Sequence, residues 1–224
     1  MPSFPFPCAI GTLVAGSLLL APAGALGAVS AAPLKPCYVS VAEGRTEPIE
    51  VTAAGFGADA MVDVSLDGNI VTTVRAAGDG RVAVRVPAPF KRQRERAFLL
   101  VLAQRDRPEA SVELRSRITA LNVRLRPLGA EPRAVIEWAG RGFTAAGPVF
   151  AHYLRDGRSR RTQRLGVPRG PCGTFRVRRR QFPFSPSMGP WTIQVDQRRT
   201  FAAMPESPFV RMPVTIRRHS HENH

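Results

Sequence analysis

Two clusters of arginine are the residues of this chain best suited to chemistry, and that chemistry is anion binding. A guanidinium group is planar and permanently charged, and it forms two parallel hydrogen bonds with a carboxylate or a phosphate. One cluster surrounds the Asp156-Gly157 turn and the other follows Phe175. Together they comprise Arg155, Arg158, Arg160, Arg161, Arg164, Arg176, Arg178, Arg179 and Arg180. Strand alternation predicts a shared face for Arg160 and Arg164, and an outward face for Arg176 and Arg178. If the two arginine-bearing strands were neighbours in one sheet, their outward arginines would form one positive stripe.

The charge of the chain is unevenly divided. The whole sequence has 32 basic and 17 acidic residues, and only two of the basic residues are lysines. Residues 37–119 hold 12 basic and 11 acidic residues, whereas residues 120–218 hold 19 and 5. Codon supply in a GC-rich genome would raise arginine in both parts, so it does not explain this difference. The alternative to binding is a solvated arginine coat that keeps the protein soluble.

No catalytic, metal or cofactor site is predicted. A hydrolase needs a nucleophile with a histidine base and an orienting acid, and His152 is the only histidine within either repeat. It alternates with Phe150 and Leu154, which favours a structural histidine with its hydrogen bonds satisfied. The histidines of the tail, His219, His221 and His224, are expected to be solvated. Trp191 fits the inner face of its strand, so specific nucleic-acid recognition by stacking is not expected.

An internal repeat sets the positions of these residues. Gly55-Phe56-Gly57-Ala58 is matched by Gly142-Phe143-Thr144-Ala145, 87 residues later. Residues 80–85 are matched by residues 173–178, and residues 98–104 by residues 191–197, both with an offset of 93. A period near ninety residues predicts two duplicated domains rather than a solenoid.

Both repeats have the pattern of β-strands. Apolar residues recur at every second position, as in Val62, Val64 and Leu66, and Asp-Gly pairs separate several of these runs. We therefore predict an all-β chain of two tandem immunoglobulin-like β-sandwiches, at residues 37–119 and 120–218, with a disordered tail at 219–224. The junction between them contains neither glycine nor proline, which predicts that one strand runs almost directly into the next.

The N-terminus resembles a secretory signal peptide. Residues 8–20 form a run of apolar and small residues that is too short for a good membrane span, and small residues suited to a peptidase follow. The segment before Lys35 has no charged side chain. We predict a signal peptide at about residues 1–31, with a retained anchor as the alternative. After its removal no transmembrane span is expected, which predicts a secreted or wall-associated protein.

Cys37 and Cys172 would remain in the mature chain, and an oxidising compartment favours a disulfide between them. Cys37 is expected to begin the first strand of domain 1, at the end far from domain 2. The two Cα atoms of a disulfide must approach within about 7 Å. We therefore expect either a bond with the domains side by side, or free thiols in an extended rod.

The Gly55-Phe56-Gly57-Ala58 segment, the strand with Val62 and Val64, and the copy at Gly142-Phe143 resemble the Gly-Phe segment of bacterial IPT/TIG-type immunoglobulin-like domains. The mature chain is similar to uncharacterised secreted proteins of high-GC Gram-positive bacteria. Domain 1 departs from the pattern, with Asp59-Ala60 where a glycine is expected. The resemblance implies extracellular binding or spacing and no catalytic residues.

Two functions follow from the sequence. In the first, the basic second domain binds an anionic cell-envelope polymer or surface, such as an acidic wall polymer or anionic lipid. In the second, the chain is a spacer or a protein–protein interaction module with no role for anions. The oligomeric state is left open.

Overall fold

The computed structural model describes residues 28–90 and 95–217, and this part of the chain is all-β. Its 16 strands form two tandem immunoglobulin-like β-sandwiches, which confirms the predicted fold class. In sandwich 1 a three-stranded sheet, β1-β4-β7, faces a six-stranded sheet, β3-β2-β9-β8-β5-β6. Its strands are β1 (Ser30–Ala31), β2 (Tyr38–Ala42), β3 (Arg45–Thr46), β4 (Pro48–Ala54), β5 (Met61–Leu66), β6 (Asn69–Arg75), β7 (Val82–Pro87), β8 (Glu95–Gln104) and β9 (Arg107–Ala120).

Sandwich 2 has a smaller version of the same plan. A three-stranded sheet, β10-β11-β14, faces a four-stranded sheet, β13-β12-β15-β16. Its strands are β10 (Asn122–Arg126), β11 (Val135–Arg141), β12 (Val149–Arg155), β13 (Arg158–Gly166), β14 (Phe175–Arg180), β15 (Gly189–Asp196) and β16 (Val210–Ile216).

Each sandwich encloses its own core, built from the strand positions that alternation predicts to be inward. In sandwich 1, Val62 and Val64 are completely buried, and Leu66 is 7% exposed. In sandwich 2 the core includes Trp138 and Ile193, which have no exposed surface. Because the apolar side chains of the core lie at alternate positions of their strands, burying them fixes which side of each sheet faces inward.

The repeated Gly-Phe segments have a structural role. In sandwich 1 the Phe56 amide donates a hydrogen bond to the Gly80 carbonyl oxygen, over 3.2 Å. The repeat partners do the same, from the Phe143 amide to the Gly173 carbonyl oxygen, also over 3.2 Å. Gly173 has a φ of +56°, and a Cβ there would lie 2.0 Å from the Phe143 carbonyl oxygen. Glycine is therefore required by backbone conformation and by close approach.

The fold begins before the predicted start of domain 1. Ser30 and Ala31 form β1 and pair with Ala54 and Ala53 of β4, and Leu34 packs against the core of sandwich 1. Cleavage at residue 31 would therefore remove an ordered strand. Most of the predicted signal peptide and all of the predicted tail, residues 219–224, lie outside the described residues.

The sandwiches differ at one edge. After β1 the chain of sandwich 1 crosses to the other sheet, where β2 pairs parallel to β9, with Tyr38 opposite Ile118 and Ser40 opposite Ala120. Sandwich 2 has no described strand that corresponds to β2, because a loop at residues 127–134 leads from β10 directly to β11. Strand β16 is therefore the edge of the four-stranded sheet.

The two sandwiches are joined by Leu121, the single residue between β9 and β10. The Leu121 amide donates a hydrogen bond to the Ser40 carbonyl oxygen, over 2.9 Å. A Cβ on Gly142 would lie 3.0 Å from the Leu121 Cα and 3.3 Å from a methyl group of Val39. The chain therefore passes from one sandwich to the other without a flexible linker.

Cys37 and Cys172 are disulfide-bonded, as predicted, with their Cα atoms 5.1 Å apart. The expected location of Cys37 was wrong. It directly precedes β2, which lies in register with the last residues of β9, so Cys37 is beside the junction. The bond therefore does not require the sandwiches to lie side by side, and it closes the junction between consecutive domains.

Candidate anion-binding face

The two predicted arginine clusters belong to opposite sheets of sandwich 2. Arg158, Arg160, Arg161 and Arg164 are exposed on β13, the edge of the four-stranded sheet. Arg176, Arg178, Arg179 and Arg180 are exposed on β14, the edge of the three-stranded sheet. The two strands are not hydrogen-bonded neighbours, so the positive stripe that was expected if they paired in one sheet does not form. Period-two alternation assigns a side chain to a face, but it does not specify the sheet.

A β-bulge also interrupts the pattern on β13. Arg161 is opposite Tyr153, and Ser159 is opposite Leu154, so Arg160 has no partner on β12. The extra residue shifts the alternation between Arg160 and Arg164, and the expectation that they share a face does not hold across it.

The three-stranded sheet instead gathers arginines from all three of its strands on its outward face. Val123, Trp138 and Phe175 point into the core, so the alternate residues of β10, β11 and β14 point outward. We call the outward set the arginine face. It consists of Arg124, Arg126, Arg141, Arg176, Arg178 and Arg180.

The strand register brings these arginines together across the sheet. Arg124, Ala139 and Arg176 form one cross-strand row, and Arg126, Glu137 and Arg178 form the next. Ala139 leaves a shallow floor between Arg124 and Arg176, whose Cα atoms are about 10 Å apart at normal strand spacing. The face therefore has guanidinium groups on both sides of a gap with no bulky side chain.

A groove of about 900 Å³ runs along this face. Five arginines line it, together with one acidic residue, Glu137. One of the five, Arg169, is not a member of the arginine face and lies in the loop that follows β13. The lining arginines are Arg124, Arg126, Arg141, Arg169 and Arg176.

Arginines in the two sandwiches have different partners. In sandwich 1, Arg105 pairs with Asp63 at 2.7 Å, Arg96 with Asp67 at 2.8 Å, and Arg117 with Glu95 at 2.6 Å. The hydrogen bonds from Arg105 and Thr73 lower the pKa of Asp63. These pairs keep the surface of sandwich 1 close to neutral.

On the arginine face Arg176 Nε pairs with Glu137 Oε1, and this ion pair is long at 3.7 Å. Four further members have no acidic partner among residues 28–90 and 95–217: Arg124, Arg126, Arg178 and Arg180. Like charges close together on one sheet face are destabilising. A bound anion would relieve this repulsion.

His152 lies away from this face, on the outer side of the four-stranded sheet, and is completely buried. Its Nδ1 lies 3.0 Å from Thr162 Oγ1, and its Nε2 lies 3.2 Å from Asp196 Oδ1 and 3.1 Å from the Arg198 carbonyl oxygen. The predicted structural histidine, with both ring nitrogens satisfied, is confirmed. Because Nε2 faces two acceptors, this geometry is satisfied when Nε2 donates a hydrogen bond, and the Thr162 hydroxyl can serve as the partner of Nδ1.

The segment between β15 and β16 covers this polar cluster. Gln194 donates to the Ala202 carbonyl oxygen over 2.9 Å, and the ring of Phe201 lies 5.9 Å from that of His152. Burial alone would raise the pKa of Asp196, but hydrogen bonds from His152, Gln194 and the Arg198 amide lower it overall. A cluster with no exposed surface does not contact a substrate in this conformation, so it has a structural role.

Trp191 is 5% exposed and packs in the core, as predicted. Within the described residues, no three histidine, cysteine or acidic side chains come together as a metal site. The same part of the chain contains no helix long and apolar enough to cross a membrane. The tail histidines lie outside it.

No family model and no curated protein sequence matches the chain. Among solved structures, the titin Ig tandem domains A164-A165 are similar at 11% sequence identity and a TM-score of 0.29, over 84% of this chain and 95% of that one. Nothing about function is transferred from a likeness at this level. By its own strands and sheets, the chain is a tandem pair of immunoglobulin-like β-sandwiches whose second member has a face of arginines.

Proposed function

We propose that this chain is a non-enzymatic extracellular binding protein, and that sandwich 2 binds an anionic polymer or surface through the arginine face. The observation that carries the proposal is the register that puts six arginines and one acidic residue, Glu137, on the outward face of a three-stranded sheet. Sandwich 1, with a net charge near zero over residues 37–119, acts as its support.

The setting we propose is the outside of a bacterial cell. The apolar N-terminal run is typical of export, and the Gly-Phe segments resemble those of IPT/TIG-type domains of secreted proteins in high-GC Gram-positive bacteria. A disulfide between Cys37 and Cys172 suits an oxidising compartment. Acidic wall polymers and anionic lipid head groups share the chemistry this face would recognise, since both repeat a phosphate or carboxylate at short intervals.

The test compares two triple variants that remove the same charge from sandwich 2. One is Arg124→Gln/Arg126→Gln/Arg178→Gln on the arginine face. The control is Arg158→Gln/Arg160→Gln/Arg161→Gln on β13, where the side chains are equally exposed. Binding of the full chain to teichoic acid and to phosphatidylglycerol vesicles is measured over a series of NaCl concentrations.

Each arginine near an anionic surface contributes about 1 kcal/mol at low salt, so the face variant is expected to bind about 100-fold more weakly. The wild-type affinity should fall steeply with salt, and the face variant should show a smaller salt dependence. The β13 control should change affinity by about threefold or less if position on the sheet matters. Equal losses in the two variants would instead show that net charge alone is responsible, and binding without salt dependence would refute the proposal.

A further inference from the structure

The edge at which the two sandwiches differ contains a second candidate site. In sandwich 1 the edge of β9 pairs with β2, whose Tyr38 and Val39 are almost completely buried. In sandwich 2 no described strand pairs with the corresponding edge of β16. β9 and β16 occupy corresponding positions in the two sandwiches. Arg96 of β8 is opposite Ile118 of β9, and its repeat partner, Gly189 of β15, is opposite Ile216 of β16.

The backbone of β16 presents hydrogen-bonding groups at this free edge. Thr192 is opposite Pro213, and Pro190 is opposite Thr215. Because proline has no amide hydrogen, neither pair can exchange both hydrogen bonds, so these are the non-hydrogen-bonded pairs of the ladder. The Thr215 amide and the carbonyl groups of Pro213 and Thr215 therefore point away from β15, toward solvent.

A groove of about 1200 Å³ runs between this edge and β10 of the opposite sheet. Its lining is mixed, and apolar side chains from both sheets contribute to it: Val123, Leu125, Leu128, Met212, Val214 and Ile216. Leu128 is 85% exposed, and Met212 and Val214 are half-buried. The groove therefore has free backbone groups on one side and apolar side chains along its length.

Gln181 provides an independent indication that a ligand belongs here. It is one of the residues that line the groove and is 7% exposed, yet its buried Oε1 has no hydrogen-bond partner. A buried acceptor without a partner is costly. A rotation of the Gln181 side chain toward the groove would let the backbone amide of an inserted chain satisfy it.

We propose that this groove binds an extended peptide, which adds to β16 as a parallel strand in the way that β2 adds to β9. Apolar side chains at alternate positions of the peptide enter the groove, and its backbone pairs with the Thr215 amide and the outward carbonyl groups. Arg124, Arg126 and Arg217 surround the groove with Glu131 as its single acidic lining residue, so the peptide carries an acidic residue beside the apolar ones. This proposal does not rest on anion binding by the arginine face.

Three variants test the pairing. Thr215→Pro removes the outward amide but no hydrogen bond to β15, and Thr215→Ala at the same exposed position keeps the amide. Gln181→Met removes the unpaired acceptor from the groove wall while keeping the size of the side chain. Since Gln181 Oε1 has no partner in the free protein, Gln181→Met should leave the thermal stability unchanged or higher.

The probe is a displayed library of random 12-residue peptides, selected on the full disulfide-bonded chain. Enriched sequences should have apolar residues at every second position and an acidic residue beside them. By fluorescence anisotropy, the synthetic peptides should bind Thr215→Pro at least tenfold and Gln181→Met at least threefold more weakly than wild type. Thr215→Ala should bind within twofold of wild type.

Several outcomes would overturn the proposal: no enrichment, enriched peptides that are acidic without alternation, or equal binding by wild type, Thr215→Pro and Gln181→Met. Acidic peptides without alternation that lose binding in Arg176→Gln/Arg178→Gln, two arginine-face positions that do not line this groove, would identify that face as their site. If Thr215→Pro fails to fold, as judged by far-UV circular dichroism, Gln181→Met decides the question alone.

Discussion

Replacing Cys37 and Cys172 by alanine opens a covalent ring that passes through both sandwiches. The two residues are separated by 135 positions, and the bond lies beside the single-residue junction at Leu121. When sandwich 1 unfolds alone, its chain therefore remains attached to folded sandwich 2 at both ends, at Cys37 through the bond and at Leu121 through the backbone. The bond restricts the unfolded chain without adding contacts to the folded one.

The size of this restriction follows from the length of the loop. Closing an unfolded loop of about 84 residues, the part of the ring in sandwich 1, costs roughly 4.5 kcal/mol of chain entropy. The part in sandwich 2, about 50 residues, costs roughly 4 kcal/mol. Measured disulfides often contribute less, so we expect each sandwich to lose about 2–4.5 kcal/mol in the free energy of unfolding. A loss of about 2 kcal/mol lowers Tm by at least about 8 °C in a domain of this size.

Urea unfolding can follow the two sandwiches separately. Both tryptophans of the chain, Trp138 and Trp191, are in the core of sandwich 2, so their fluorescence reports on that sandwich, whereas far-UV circular dichroism reports on both. A Cys8→Ser background prevents Cys8 from pairing with a remaining thiol. Both transitions should move to lower urea when the bond is removed.

The single variants provide the control. Each of them already breaks the bond, so Cys37→Ala, Cys172→Ala and the double variant should be destabilised almost equally. Both cysteines are buried, at 2% and 1% exposure, and a loss caused by packing would instead add up in the double variant. Additive losses, or a change below about 1 kcal/mol in both transitions, would refute the loop-closure argument.

Two further predictions concern sandwich 2. Gly173→Ala places a Cβ 2.0 Å from the Phe143 carbonyl oxygen. The control, Gly170→Ala, should lower the free energy of unfolding in urea by about 1–2 kcal/mol, the cost of the left-handed backbone alone. Gly173→Ala should lower it by about 2 kcal/mol more. Gly170 also has a positive φ but open space around it; equal losses would show that close approach is unimportant. The lowered pKa of Asp196 stabilises the fold above the unfolded pKa of about 3.9, and this contribution is lost as pH falls through the folded pKa. Asp196→Asn should therefore flatten the acid side of the stability curve between about pH 5 and pH 2, and an unchanged slope would contradict this.

The sequence was sufficient to predict the β-sandwiches, because their strands satisfy a local rule. Alternate residues such as Val62 and Val64 are buried wherever the pattern is regular. The repeated Gly-Phe segments were visible for a similar reason, since each requires a glycine, Gly80 or Gly173, in a turn further along the chain. Neither feature depends on knowing which strands are neighbours.

The candidate site could be predicted only in part, since it depends on pairing between strands far apart in sequence. Arg176 and Arg178 were identified from their cluster on one strand, but Arg124 and Arg126 belong to a strand about 50 residues earlier and join them only through β11. In the sequence, Arg124 and Arg126 alternate with Val123 and Leu125, which assigns both arginines to one face of their strand but not to the sheet that contains Arg176. The location of Cys37 was wrong for the same reason, because the parallel pairing of β2 with β9 is not a local property.

The Cys37–Cys172 bond also determines which parts of the chain bear load if the protein is held between two attachments. Tension applied to its two ends passes from residue 36 through the bond to residue 173, and the 135-position interval between the cysteines is bypassed. Most of sandwich 1 and the arginine-bearing strands β10 and β11 lie within that interval. A molecule anchored at one end and pulled at the other would therefore keep these strands free of force while the bond is intact.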